Sequence, residues 1–379
     1  MEKNEEVGYF LEKVANEISI TDTMIDKAES SYMAVGKWVG EGINYDVKII
    51  PQGSIGLGTT IKPISDKDDY DIDLVCILLN GQYLNAKDIK NIVGNRLKEH
   101  KIYAEKIMME GEGKRCWKMQ YDEFHMDILP SVPLKLYIEP NRTNLRITHK
   151  ENGIYTDRFS NPYGYRLWFQ ERMKDIINAR KRAYALENHT SIEDVPIYRI
   201  KTPLQQAIQI LKRHRDIYFN NKEKEFAPIS IIITTLAARS YNGEVNLYNT
   251  IVNILSNMHY HIEQRRGLYW ISNPVDPAEN FADKWNSDPK RAEAFYKWLE
   301  IAKHDFISKA ASCYGLDQLY KLFSNKLGDQ PVNRAFKSIG NEMREKRENN
   351  QLYSAGLGGS LLSKDSGNLL VKGHTFFGK

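Results

Sequence analysis

Asp71 and Asp73 stand two residues apart in the segment YDIDLVCIL. On an extended strand successive side chains alternate, so both carboxylates project from one face while Ile72 and Leu74 enter the other. Like charges this near repel. A sheet tolerates them where they reach water or share a cation, and oxygen-only ligands select a hard ion such as Mg²⁺ or Mn²⁺. Solvated strand edges also carry aspartate pairs, so the pair alone does not decide. In FHMDIL, His125, Asp127 and Leu129 alternate with Phe124, Met126 and Ile128, which puts Asp127 on a second strand ending at Pro130. If the two strands are neighbours, three carboxylates can hold two divalent ions, the arrangement that activates an attacking hydroxyl and stabilises a leaving pyrophosphate. Otherwise Asp127 is a surface residue on an edge strand. Asp68 and Asp69 lie in the loop-like SDKDD and are discounted as ligands, although Asp69 shares the parity of the pair and can support it as a nearby charge.

A third element precedes the pair. Gly53 allows a phosphate to approach the backbone, the Ser54 hydroxyl can donate to it, and a helix start adds oriented N–H groups. Neither GLGTT nor the later GLGGSLL continues into the Gly-Lys-Ser/Thr of a P-loop, and no complete GxGxxG follows a strand. ATPase and dinucleotide-fold readings lose support accordingly.

These residues need a scaffold. Apolar residues from Tyr9 to Val39 recur at helical spacing with a break near Ser19 and Thr21, which predicts one long or two consecutive helices. Tyr45 to Pro51 reads as a strand, and GSIGLGTT as a turn opening a short helix. Asp71 to Leu79 begins by alternating and then becomes continuously apolar, as expected of a central strand. Ala86 to His100 reads as a helix, with strands at Ile102 to Met109, Cys116 to Tyr121 and Phe124 to Leu129. After about Tyr165 the pattern is helical: Thr202 caps a helix with Pro203 at its first position, and others follow from Pro228, Leu247 and Pro289. From about Glu345 the chain becomes rich in Asn, Ser and Gly, the composition of a flexible tail. The expected division is a catalytic core at 1–200, a helical lobe at 201–344 and a tail at 345–379.

Composition narrows the function classes. The 379 residues are room for about two domains, and 53 basic against 49 acidic residues leave a net charge of +4, too small for a protein that coats duplex DNA. No stretch approaches the roughly 18 apolar residues of a membrane span, and the opening MEKNEEVGYF lacks secretory features, so a cytoplasmic protein without membrane association is expected. Cys76, Cys116 and Cys313 lie too far apart for a zinc knuckle.

Taken together, a Gly-Ser turn, Asp-x-Asp on a strand and a single Asp on a later strand resemble the nucleotidyltransferase superfamily typified by DNA polymerase beta. PQGSIGLGTTIKP, YDIDLVCIL, HMDILPSVP, SNPYGYRLWF, PLQQAIQILKRHRDIYF, APISIIITTLAA and NPVDPAENFADKW are similar to the CD-NTases of CBASS anti-phage operons, bacterial relatives of cyclic GMP-AMP synthase and the oligoadenylate synthetases. The likeness runs from Gly40 to Trp285. It implies an α+β fold, with an N-terminal helix and a polymerase-beta-like core sheet packed against a C-terminal all-helical lobe. It implies that Asp71, Asp73 and Asp127 ligate two Mg²⁺ ions, that Asp127 helps deprotonate the acceptor hydroxyl, and that Gly53 and Ser54 hold the donor triphosphate.

Helical phase puts Lys212 at the rim of the stripe formed by Leu204, Ala207, Ile208 and Leu211, with Arg213 pointing away, so Lys212 is the better triphosphate ligand. The alternative is an ordinary solvated lysine. Arg215, near the stripe, pairs with a buried acid or reaches into the cleft. The resemblance gives Ser230 a contact with donor phosphates, although a helix-cap hydroxyl is an equal reading. Asn161 can pair with a base edge or simply precede Pro162 in a turn, and Tyr163, Tyr165 and Trp168 can stack on a base or fill core.

The implied reaction joins nucleoside triphosphates, without a template, into a cyclic di- or trinucleotide second messenger for anti-phage defence. With no zinc insertion, activation by duplex DNA is not expected. The terminal GHTFFGK resembles tails joined covalently to other molecules by an operon-encoded ubiquitin-transfer-like enzyme, which here requires loss of Lys379 after Gly378. The competing readings are a tRNA-end or poly(A) nucleotidyltransferase, for which a more basic RNA-binding appendage is expected, and a degenerate binding scaffold, for which loss of a ligand is expected.

Overall fold

The computed structural model describes residues 3–65, 69–134, 143–187, 191, 200–220, 223–354, 361–362 and 369–370. The chain divides into two compact units, one of Ile20–Lys201 with Ser272–Glu279, the other of Met1–Ser19, Thr202–Ile271 and Asn280–Lys379. The sequence reading kept the N-terminal helix with the core. The contacts instead assign α1 (Lys3–Ile18) to the helical unit and α2 (Asp22–Glu41) to the sheet unit, so the break at Ser19–Thr21 is a boundary between units. Thr21 caps α2, its hydroxyl accepting from Met24 N at 3.2 Å.

In the sheet unit, β1 (Val47–Pro51) is followed by the single-turn α3 (Gly53–Leu57), β2 (Tyr70–Leu78), α4 (Ala86–Glu99), α5 (Lys101–Glu110), β3 (Trp117–Gln120) and β4 (Phe124–Pro133). A hairpin of β5 (Leu145–Glu151) and β6 (Ile154–Ser160) comes next, then α6 (Pro162–Glu171) and α7 (Lys174–Glu187). The strands form one mixed sheet in the order β1-β2-β4-β5-β6, with β3 also paired to β4. Among the described strands of this sheet only β2 and β4 run parallel. The apolar run of β2 is therefore central, as its composition predicts.

One face of this sheet is covered. Ile72, Leu74, Cys76, Leu78, Met126 and Ile128 pack with Val35 and Val39 of α2 and Ile89, Val93 and Leu97 of α4 in one buried cluster. Each such side chain contributes about 1.5–3 kcal/mol by leaving water. The opposite face holds a smaller cluster of Val75, Ile77, Leu129, Leu145 and Ile147. Where that face continues toward the start of β2, the residues are Asp73 and Asp71.

Two local expectations fail. Ile102 to Met109 reads as a strand from its β-branched and aromatic residues, yet it forms helix α5, set off from α4 by the extended His100 (ψ 117°). Ile107 is buried and Tyr103 half-buried against the main cluster, a four-residue spacing that suits a helix face better than a strand. The β5–β6 hairpin went unrecognised although Asn152-Gly153 is a strong turn signal, and both residues have positive φ (49° and 79°).

The helical unit contains α1, α8 (Pro203–Asn220), α9 (Ser230–Ser240), α10 (Leu247–Asn257), α11 (Asp283–Ser287), α12 (Lys290–Lys303), α13 (Ala310–Ser312), α14 (Leu316–Leu327) and α15 (Asp329–Glu348). A π-helical turn, His304–Lys309, joins α12 to α13. The unit is not wholly helical, since Glu263–Arg265 pairs with Leu268–Trp270. Thr202 and Gln205 form a reciprocal capping box for α8: Gln205 N donates to the Thr202 hydroxyl at 3.3 Å, and Thr202 N to Gln205 Oε1 at 2.9 Å. At the C-terminal end α15 runs past the expected start of the tail to Glu348, and Tyr353–Ser354 pairs with both Leu361–Leu362 and Leu369–Leu370. GHTFFGK lies outside the described residues. Among the described residues no helix is long and apolar enough to cross a membrane.

Candidate active site

The parallel register of β2 and β4 sets Asp73 directly beside Asp127, and Asp71 beside His125. Because β2 alternates, Asp71 and Asp73 share the face on which Asp127 stands, with Asp71 exposed and the other two partly exposed. The three acids that the sequence singles out are thus brought onto adjacent central strands. Asp69, discounted as a ligand, is taken up otherwise: Gln120 Nε2 donates to its Oδ2 at 2.6 Å and His125 Nε2 lies 3.0 Å from the same oxygen. Asp68 lies outside the described residues.

The turn after β1 is fitted to this face. Gln52 N donates to Asp73 O at 2.8 Å, which ties the turn to β2. Gly53 then adopts φ +58°, and a Cβ there would come within 2.2 Å of Asp73 Oδ2. Both facts demand glycine, one for backbone conformation and one for space. Ser54 follows, its hydroxyl 3.0 Å from Thr60 Oγ1, which donates to it.

Asp127 has a neighbour that the sequence reading passed over. Cys116 Sγ lies 3.3 Å from Asp127 Oδ2 and donates its thiol proton. Burial first, and then the charge of Asp127, push the Cys116 thiol up to about 12. Lys118, two residues on, is the register partner of Asp127 on β3. The signal was the spacing, since the short strand Cys116 to Tyr121 lies just upstream of the Asp127 strand across a tight turn.

The donor set suits a hard cation: Asp73 and Asp127 are adjacent, Asp71 is on the same face, and Gly53 leaves room around the Asp73 carboxylate. As the side chains stand, no three His, Cys, Asp or Glu groups among the described residues converge on one point. The carboxylates share a face without closing on one another, and a cation would draw them together by the repulsion it relieves.

The remaining expected site residues have mixed placements. Asn161 caps α6, its Oδ1 accepting from Gly164 N at 2.9 Å and from Thr143 Oγ1 at 2.6 Å, which is the turn role. Tyr165 is buried and belongs to the core, the half-buried Trp168 is tilted beside it, and Tyr163 lies under the Arg166 guanidinium. In the helical unit, Lys212 is only 6% exposed and so is not a solvated lysine. Arg213 does not point away, being 3% exposed, because α8 is flanked by α1, α9, α10, α12 and α14 and is buried almost all round. Arg215 pairs with Asp216 at 2.6 Å, and its Nη1 donates to Pro228 O at 2.9 Å and to the Ser230 hydroxyl at 3.1 Å. Ser230, at the start of α9, is thereby tied to Arg215.

Comparison with known proteins gives this geometry a family. The model of the nucleotidyltransferase domain of cyclic GMP-AMP synthase DncV-like proteins matches residues 47–130, the segment that carries Gly53, Ser54 and all three aspartates. The chain is 32% identical over 350 residues to the c-di-GMP synthase of Roseivirga ehrenbergii, covering 89% of each. It is 23% identical over 364 residues to the cyclic dinucleotide synthase CdnG of Bradyrhizobium diazoefficiens, covering 90% of this chain and 85% of that one. The solved structure of B. diazoefficiens CdnG in complex with GTP shares the fold with a TM-score of 0.69 at 21% identity, over 88% of this chain and 99% of the other. The Vibrio cholerae DncV cyclic AMP-GMP synthase in complex with nonhydrolyzable GTP gives 0.53 at 14% identity, over 88% of each chain. With the α+β fold, the carboxylate face and this extent of identity, the chain belongs to the bacterial CD-NTases, a family of nucleotidyltransferase enzymes.

Proposed function

We propose that this CD-NTase joins two molecules of GTP into a cyclic dinucleotide with release of pyrophosphate, as a second messenger in anti-phage defence. The observation that carries the reading is the register of Asp73 with Asp127, with Asp71 on the same face and the Gly53 turn against Asp73. The name of the Roseivirga relative, a c-di-GMP synthase, and the GTP in the Bradyrhizobium complex support guanine as the base.

In this account Asp71, Asp73 and Asp127 hold two Mg²⁺ ions, which when bound lower the pKa of the attacking hydroxyl and neutralise charge on the phosphates, a role Mn²⁺ can share. Gly53 opens the backbone to the donor triphosphate and Ser54 Oγ–H donates to it, its oxygen already accepting from Thr60. Asp127 takes the proton of the acceptor hydroxyl. The oxygen–α-phosphorus bond forms, the bond to pyrophosphate breaks, and a second round on the linear intermediate closes the ring. Lys212 and Ser230 are proposed as further triphosphate ligands on the family resemblance, and Lys212→Ala raising KM for GTP checks this. The C-terminal GHTFFGK is proposed, on the same resemblance, as the substrate of a ubiquitin-transfer-like enzyme, for which intact mass after co-expression must show loss of Lys379.

The test is incubation with labelled nucleoside triphosphates, singly and in pairs, with Mg²⁺, followed by phosphatase and mass analysis. GTP alone should give a phosphatase-resistant cyclic dinucleotide. A requirement for a second triphosphate would overturn the guanine assignment, and linear tails on added RNA would favour the poly(A)-type alternative.

A further inference from the structure

Cys116 is one of three cysteines in the chain, and its setting is distinct. Its backbone is held by groups that do not touch the carboxylates. The adjoining Trp117, 3% exposed, donates its indole N–H to Lys90 O at 3.0 Å. The ring lies so close to α4 that a Cβ on Gly94 would come within 2.0 Å of it. Glu112 forms an isolated antiparallel bridge with Trp117, and its carboxylate is gripped by Lys90 Nζ of α4 at 3.2 Å and Lys150 Nζ of β5 at 2.7 Å. The segment leading into β3 is therefore fixed from two sides. What it presents at its open end is the Cys116 thiol, 3.3 Å from Asp127 Oδ2.

The choice of donor is informative. A Lys or Arg side chain at this place would orient Asp127 by pairing with it, and would compete for the charge that a metal ion needs. A thiol is a weak, neutral donor. It can fix the rotation of the carboxylate while leaving its negative charge available. Asp73, the register partner of Asp127, instead occupies the space that a Cβ on Gly53 would take. The two adjacent carboxylates are thus shaped by different elements, one by space and one by a hydrogen bond.

We propose that Cys116 is a positioning residue: its Sγ–H···Oδ2 hydrogen bond holds Asp127 in the rotamer in which Oδ1 serves the metal ion and the acceptor hydroxyl. The inference rests on the reading of Asp127 as a catalytic carboxylate. It requires a donor at position 116, not sulfur as such.

The test uses the full-length chain with Cys116→Val and Cys116→Ala, which lack a donor, Cys116→Ser, which keeps one, and Asp127→Asn, with thermal melts on each. Synthesis from GTP and Mg²⁺ is followed for kcat and KM, and Mn²⁺ binding is measured separately by electron paramagnetic resonance. Val and Ala should lower kcat by roughly tenfold, leave KM for GTP within about twofold and weaken Mn²⁺ binding, and Ser should recover most of both losses. Wild-type kcat and Mn²⁺ affinity in Val or Ala would overturn the proposal, as would a Ser variant as impaired as Val. Asp127→Asn separates the two levels. If it is inactive while Val matches wild type, only the positioning role fails; if it retains full synthesis, the site reading itself fails.

Discussion

Asp305 in the helical unit is buried and Asp127 in the sheet unit is partly exposed, and their neighbours treat them differently. Asp305, 1% exposed, lies in the π-helical turn and is enclosed by His214 Nε2 at 3.3 Å, Lys326 Nζ at 2.8 Å and Lys309 Nζ at 3.4 Å. His214 is held in turn by Trp298, whose indole N–H donates to Nδ1 at 3.1 Å, so the imidazole carries its proton on Nε2 and gives it to Asp305. That carboxylate is satisfied by cations and donors of the chain itself. Asp127 receives a thiol, and its neighbour Asp73 receives the space left by a glycine. Three side chains of the chain close on the structural carboxylate, whereas the side chain bonded to Asp127 is a neutral thiol, with Lys118 beside it as register partner. Charge alone does not distinguish the two aspartates; the kind of partner does.

The largest effect should come from the open face. Asp71→Ala with Asp73→Ala should lower synthesis by about a thousandfold, with a smaller change in melting temperature than Asp305→Asn gives. If the pair were structural like Asp305, the melt would fall as far. Next is Asp305→Asn, which leaves His214 and Lys326 without their charged partner. It should cost about 3 kcal/mol in denaturant unfolding, and a neutral result would remove the contrast with Asp127.

Gly53→Ala tests the shape argument. The alanine must either strain at φ +58°, a cost of about 1–2 kcal/mol, or displace Asp73, and synthesis should fall by at least about tenfold against a small change in melting temperature.

Acid should sharpen the comparison further. Burial first, against the opposing pull of Asp305, holds the His214 pKa below its usual value, so only the unfolded chain takes up that proton as pH falls through about 6.5. For Asp305, burial alone would raise the carboxyl, but the hydrogen bonds and charges of His214 and Lys326 outweigh it and hold the group well below the usual carboxylate range. The unfolded carboxyl protonates first, near about pH 4. Both groups therefore contribute stability at neutral pH that is lost on acidification, and melts from about pH 8 to about pH 2 should fall in both windows, with His214→Gln removing the upper one. The smallest effect is Thr202→Ala, which opens the capping box of α8 for about 1 kcal/mol.

Much of the site was legible because strand alternation is a two-residue rule. It put Asp71 and Asp73 on one face and Asp127 on a second strand, and Gly-Ser before them marked the turn. Register was not legible: nothing local in FHMDIL states that Asp127 stands beside Asp73 and not one position along. The Cys116 contact depends on that register and on the turn at 112–117, so it became visible only in three dimensions. α5 was misread because its β-branched residues suit a strand and its helical face shows only once it packs. Arg213 was misplaced because the wheel assumes a solvent side, which α8 scarcely has. The uncoupling of α1 from α2 depends on long-range packing, with Lys13 and Tyr9 of α1 meeting Glu342 of α15.

The central claim is that the face carrying Asp73 and Asp127 performs nucleotide transfer. Its most direct test compares wild type with Asp127→Asn in the labelled GTP and Mg²⁺ assay, with a melt to show that both are folded. The account predicts a phosphatase-resistant cyclic product from wild type and none from the variant at an unchanged melting temperature. Undiminished cyclic product from the variant would contradict it.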